Sequence, residues 1–320
     1  MEAIHAMHKG DAKVFFAMGG NFLSASPDTS FTAAALRKCK LTVHVSTKLN
    51  RSHLIHGEEA LILPCLGRSD KEIINGEEQV ITTENSMGVI QISKGNLTPV
   101  SSELLGEPVI VALMAQSVLG KRSKVKWDLY IKHYDSIRND IAKTIPGFEN
   151  YNVRVRKPGG FYLPNAAREG NFNTDSGKAG FNSAKATAHH LEKDELMMMT
   201  IRSHDQFNTT IYGLNDRYRG IYNERRVIFM NAGDIKSLGL KAGEVVDIVN
   251  DFEGIERVAR KFIVVPFMIP LKCAATYFPE TNVLVPINST ADKSNTPTSK
   301  TVKIKVRKHV DLTVDSLNVT

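Results

Sequence analysis

Between Arg226 and Val265 the chain reverses direction every few residues, and each reversal is marked by the residue type that makes it. Residues 226–230 read as a strand. Asn231 suits a helix N-cap, and Gly239 suits the left-handed residue that closes a short helix. Lys241-Ala242-Gly243-Glu244 turns into a strand over residues 245–249. Asp251 to Gly254 turns again into residues 257–265. Residues 283–285 and 302–306 supply further strands. In the last, Lys303, Lys305, Arg307 and Lys308 alternate with Val302, Ile304 and Val306, the pattern of a strand with one wet face. Short strands with one short helix among them fit a small closed β-barrel, which leaves no edge unpaired.

Ahead of these strands lies residues 196–213, LMMMTIRSHDQFNTTIYG. It opens as a buried strand, with Met197, Met198 and Met199 in the core. It then turns polar: Arg202, Ser203, His204, Asp205, Gln206, Asn208, Thr209 and Thr210. A buried strand that runs into fixed hydrogen-bonding groups and one Arg presents a polar ligand with directed donors. Ser203-His204-Asp205 has the letters of a catalytic triad, but neighbours along a strand face opposite sides. His204 therefore reads as a hydrogen-bonding wall residue. Tyr277 and Phe278 fit either stacking on a flat ligand or packing under the barrel mouth.

The first half of the chain has another pattern. Residues 1–8 read as a helix closed by Gly10, and residues 14–17 as a strand followed by Gly19-Gly20-Asn21. Ser26-Pro27-Asp28 predicts the start of a helix that carries Phe31, Ala34, Ala35 and Leu36. Residues 41–45 and 61–63 are the next strands. Strand, glycine loop, helix and strand make a βαβ unit with parallel strands, whose ligands sit beyond the carboxyl ends. Gly19, Gly20, Asn21 and the segment from Ser46 to Ser52 lie there. Taken alone, Gly-Gly-Asn reads as a tight turn. Residues 84–100 predict a loop and hairpin, 109–119 a helix ended by Gly120, and 128–142 a second helix. Residues 146–195 form a long connection that contains the domain boundary. His44, His53 and His56 read as scattered polar histidines rather than a metal site.

Composition removes several classes. The chain has 320 residues, 42% hydrophobic and 23% charged, enough for a substantial core and two domains. No apolar run approaches the roughly 20 residues of a membrane span, and MEAIHAMHKGDAK lacks the apolar core of a signal peptide. Cys39, Cys65 and Cys273 are odd in number and far apart, which argues against a disulfide framework and for buried thiols in a reduced, cytoplasmic setting. The net charge of +7 fits a polyanionic partner or a solvated basic surface. No aromatic-and-basic motif indicates nucleic acid.

Several segments together resemble one family. NAGDIKSLGLKAGEVVDIVNDFEG resembles the C-terminal barrel of molybdopterin-dependent oxidoreductases, and PETNVLVPINSTADKSNTPTSK resembles that barrel's second cofactor segment. VFFAMGGNFLSASPD, LTVHVSTKLNRSHLIHG, ALILPCLGRSDKE and ITTENSMGVIQISKGNLTPVSSELLGEP are similar to the third domain of the same enzymes. YDSIRNDIAKTIPGFENYN and RKPGGFYLPNAAREGNFNTDSGKAGF fit the linker of their formate-dehydrogenase-like alpha-subunit branch, in the DMSO reductase superfamily.

The resemblance implies a partial Rossmann-like parallel α/β domain over residues 1–145, a linker over 146–190, a double-psi β-barrel over 191–310 and a tail over 311–320. It implies a molybdopterin guanine dinucleotide carrying molybdenum or tungsten. Gly19, Gly20 and Asn21 would approach phosphate or guanosine, and Thr47, Asn50 and Ser52 would bond the nucleotide. Arg202, Gln206, Asn208, Thr209 and Thr210 would contact pterin and phosphate, and Asn282, Ser299 and Lys300 would complete the pocket. The family's upstream domains, with its first pterin region, its iron–sulfur motif and its metal-facing residue, have no counterpart here. The resemblance thus implies a C-terminal portion that is inactive alone and needs the N-terminal domains or a complementary subunit. The other reading is a stand-alone, non-catalytic module that holds the cofactor or a partner subunit.

Overall fold

The computed structural model describes residues 1–185, 188–209 and 211–311. By contacts the chain divides into two compact units. One takes in the described parts of Met1–His44, Leu49–Ile62 and Ala188–Thr320; the other takes in those of Val45–Lys48 and Leu63–Thr187. The N-terminal α/β segment and the barrel therefore fall in the same unit, a grouping that the linear division at residues 145 and 190 did not foresee.

In the first unit, α1 (Glu2–Lys9) ends at Gly10, which takes the left-handed φ of 85°. β1 (Val14–Met18), α2 (Phe22–Ala25), α3 (Thr29–Arg37), β2 (Leu41–Ser46) and β3 (Glu59–Pro64) follow. The sheet order is β1-β2-β3. Leu41 N bonds Lys13 O and Glu59 N bonds Lys40 O, so the strands start at one end and run parallel. Ile4, Met7, Leu23, Ala35, Leu36 and Cys39 form the core beside them. The helix predicted to start at Ser26 is displaced. Ser26 N closes the short α2 on Phe22 O, and Asp28, at a φ of 45°, is the residue before α3. The reason is long-range. The Asp28 carboxylate takes the Arg257 guanidinium at 2.8 Å, both side chains being buried, and so does not cap its own helix.

In the second unit are the strand pair β4 (Ile73–Ile74) and β5 (Glu77–Glu78), and the hairpin β6 (Ile81–Glu84) and β7 (Val89–Ser93). Four helices follow: α4 (Glu107–Leu119), α5 (Trp127–Lys132), α6 (Asp135–Thr144) and α7 (Tyr151–Val155); β8 (Phe161–Tyr162) then pairs with β7. The single helix predicted over residues 128–142 is broken at His133–Tyr134. Tyr134 is buried, its N–H goes to Gln79 Oε1 at 3.0 Å, and its hydroxyl goes to Glu72 Oε1 at 2.6 Å. His133 Nδ1 accepts the Asp135 N–H at 3.0 Å and so starts α6 afresh.

The barrel belongs to the first unit. β9 (Leu196–Ile201), β10 (Val227–Met230), β11 (Val245–Phe252), β12 (Ile255–Pro266), β13 (Cys273–Tyr277) and β14 (Val302–Lys308) close in the order β10-β12-β11-β14-β9-β13. The helix between β10 and β11, α8 (Ala232–Ser237), begins as its sequence predicts: Asn231 Oδ1 accepts the Gly233 N–H at 2.8 Å. Gly239 follows with a φ of 66°. Leu196, Met198, Ile228, Met230, Val246, Ile248, Phe262 and Ile304 fill the interior. One expected strand is absent. Residues 283 and 284 belong to a 3-10 turn, Asn282–Leu284, that Val285 follows, while β13 supplies the strand that the sequence reading lacked.

Candidate functional site

β9 and β13 run parallel and end together, and β14 and β10 run antiparallel to them and begin at the same rim. The segments after Ile201, before Val227, after Tyr277 and before Val302 therefore converge on one mouth of the barrel. The topology, more than any local motif, brings the two predicted cofactor segments together.

The centre of this mouth is Arg225, which the sequence reading passed over. Its side chain is 4% exposed. Its guanidinium donates to Glu280 at 2.6 Å, to Ser203 Oγ at 2.7 Å, to Phe278 O at 2.8 Å and to Gln206 Oε1 at 3.1 Å. It lies 4.3 Å from the Tyr212 ring centroid and 4.9 Å from that of Tyr277. Gln206 completes the tie, with Nε2 donating to Phe278 O at 2.7 Å and to Asn208 O at 2.8 Å. Behind it, the buried Tyr277 hydroxyl donates to Asp216 Oδ2 at 2.7 Å, and Arg219 pairs with the same oxygen at 2.5 Å. Burial works against the Asp216 charge, but the bonds from Tyr277 and Arg219 outweigh it and hold the carboxyl below its ordinary range. Burial, then Asp216, pushes the Tyr277 hydroxyl well up. Tyr277 is a packed wall residue, not a stacking platform. His204 stands at the edge, 3.0 Å from Asp205 and 3.1 Å from Arg217.

Two rim cations have no carboxylate among the hydrogen bonds and ion pairs of the described residues. Arg202 donates to Asn208 Oδ1 at 2.7 Å. Lys300 donates to the carbonyl of Thr200. They are neighbours: the Lys300 ammonium is held below its ordinary range first by burial and then by the charge of Arg202. Two cations at one end of β9, one of them lining a concavity of about 410 Å³ with Ser203, His204, Tyr218 and Arg219, make an arrangement that favours an anion.

The other predicted residues take several places. Thr209 is buried, and Thr210 lies outside the described residues. Ser299 contributes its carbonyl, which accepts the Thr200 N–H at 3.0 Å. Asn282 is buried and donates to Ser24 O at 2.7 Å and Ala25 O at 3.1 Å, so its amide clamps α2 to the barrel. Gly19, Gly20, Asn21, Asn50 and Ser52 come together at the ends of β1 and β2. Asn50 Nδ2 donates to Gly20 O at 2.8 Å, and Ser52 Oγ donates to Asn21 Oδ1 and accepts the Leu23 N–H, each at 2.9 Å. Gly20 has a φ of 71°, and a Cβ there would meet nothing within 4 Å. The glycine serves the left-handed turn, and the turn is left bare. Thr47 is exposed and falls in the other unit. The rings of His44 and His53 lie 4.8 Å apart, and among the described residues no three His, Cys, Asp or Glu gather as a metal site.

Residues 196–306 match the family described as molydopterin dinucleotide binding domain. The matched residues are those of the barrel, which is similar to the molydopterin dinucleotide binding domains. An uncharacterized oxidoreductase of Mycobacterium tuberculosis (strain H37Rv) is 47% identical over 310 residues, covering 95% of this chain and 40% of that protein. The protein YdeP of Escherichia coli (strain K12) is 40% identical over 310 residues, covering 95% of this chain and 41% of that protein. The chain thus spans about 40% of the length of these relatives. The solved structure of acetylene hydratase from Pelobacter acetylenicus superposes with a TM-score of 0.61 at 13% identity, over 96% of this chain and 46% of that one. The parallel α/β segment and the closed barrel thus share the fold of that structure, as the sequence analysis expected of the architecture.

Proposed function

We propose that this chain is the dinucleotide-binding portion of a molybdopterin guanine dinucleotide-dependent oxidoreductase of the formate-dehydrogenase-like branch. The observation that carries the reading is that Arg202 and Lys300, neither met by a carboxylate among the described residues, stand on one rim of the barrel that matches the dinucleotide binding domain. A diphosphate beside these cations replaces a repulsion by two charge-assisted contacts. On this reading Gln206, Asn208, Thr209 and Ser299 form the neutral wall around it, and Gly19, Gly20, Asn21, Asn50 and Ser52 form the nucleotide-facing turns.

When bound, the cofactor supplies the redox chemistry through its molybdenum or tungsten. The part of this chain is positional. Arg225 and Gln206 fix the loop that carries Arg202, Asn208 holds the Arg202 guanidinium in place, and the Thr200 carbonyl holds Lys300. The metal-facing residue and any iron–sulfur cluster are assigned to the part of the relatives that this chain does not match, in an N-terminal region or a complementary subunit. The chain alone is then inactive. The exposed apolar residues Leu61 and Ile62 on the edge strand β3 support a further polypeptide against it.

The test is the pterin content of the chain purified from cells that make the cofactor, together with its variants. Arg202→Gln and Lys300→Gln should each retain several-fold less pterin per protein than the wild type, at unchanged thermal stability. Equal pterin in all three would overturn the assignment of the rim.

A further inference from the structure

α4 lies in the second unit and is apolar on every side. Between Val109 and Leu119 its only polar residues are Gln116 and Ser117. A helix of that composition belongs inside a core, yet only Val109 and Ala112 are buried. Val111, Met114 and Val118 are 37%, 39% and 63% exposed. Their alternating steps of three and four residues are the spacing of a seam that meets a second helix. Glu107, one step before Val111, stands exposed at the start of this seam. At the other end the turn Gly120–Arg122 carries the exposed Lys121 and Arg122. Arg122 is held there, its guanidinium donating to Val118 O at 2.7 Å and to Leu119 O at 3.4 Å. No ion pair among the described residues involves Glu107, Lys121 or Arg122.

The seam is thus acidic at one end, apolar through its middle and basic at the other, with Met114 half-way between Glu107 and Lys121. Such a stripe complements its own reverse. A second α4 turned end for end about Met114 sets valines against valines and brings its Lys121 and Arg122 to the Glu107 of the first. Symmetry repeats that contact at the opposite end. Parallel pairing would instead set like charges together. We propose that α4 is a self-association surface that pairs antiparallel with α4 of a second copy of this chain, about a two-fold axis at Met114. The apolar seam supplies the driving force, and the end charges set direction and register. This surface does not draw on the cofactor reading.

The test is sedimentation equilibrium of the purified chain over a range of concentrations. The wild type should reach twice the mass of one chain, and added salt should weaken the dimer. Met114→Asp, which brings two carboxylates together at the axis, should weaken it roughly tenfold or more at an unchanged unfolding temperature, because symmetry counts each change twice. Glu107→Lys should weaken it as well, and Glu107→Lys with Lys121→Glu should recover part of the loss. A chain that stays monomeric at every concentration, even one that binds lipid vesicles or another protein instead, would overturn the proposal. So would a dimer indifferent to Met114→Asp or to Glu107→Lys, or one that Lys121→Glu fails to rescue.

Discussion

Arg225 shows how a single residue can set a site without touching what binds there. Its charge is out of water, and its donors go to Glu280, Ser203, Gln206 and Phe278 O. A buried cation is tolerated only when its donors are met, and removal of one partner of a buried pair costs about 3 kcal/mol or more. Arg225→Met should therefore lower the unfolding free energy by roughly 3 kcal/mol, read by urea denaturation. Arg225→Met with Glu280→Leu should recover part of that loss, because no carboxylate is then left unpaired. If the double variant is the less stable, Arg225 acts through packing rather than charge. No sequence signal separated Arg225 from Arg226. Both precede a strand, and which of them turns inward depends on the Tyr212 and Tyr277 rings, which meet Arg225 only after the barrel closes.

At the scale of elements, local chemistry was legible and long-range chemistry was not. Asn231 and Gly239 bound the helix α8 region as their side chain and backbone preferences dictate. Gly10 closes α1 for the same reason. The break between α5 and α6 was hidden, because helical spacing continues across Tyr134 while its hydroxyl and N–H are drawn away by Glu72 and Gln79. The displaced start of α3 has the same origin in Arg257. In the candidate site the polar segments were legible in sequence, while the partner each side chain takes was set by the fold. Asn282 reads as a ligand donor in sequence, yet its amide spans to the carbonyls that end α2. Asn282→Ala should cost about 2 kcal/mol, the loss of two buried hydrogen bonds. Amide exchange in residues 22–26 should quicken more than in β11. Uniform quickening would mean that the clamp is not local.

At the scale of the molecule, the sequence order of the barrel strands and their spatial order differ, and that difference makes the candidate site. β9 and β14 are far apart in sequence but paired, and they carry Arg202 and Lys300 to one rim. The polar residues of 202–209 and 299–300 could be picked out one by one from the sequence; their meeting depended on β13 lying beside β9, a strand that the apolar pattern did not announce. On the proposed reading, this rim holds a pterin dinucleotide. The most direct measurement is the fluorescence of oxidised pterin released from the purified, folded chain after expression in a cofactor-producing host. Pterin should be released in a fixed ratio to protein, and that ratio should fall when Arg202 or Lys300 is neutralised. Folded chain that releases no pterin, from cells whose other pterin enzymes are loaded, would contradict it.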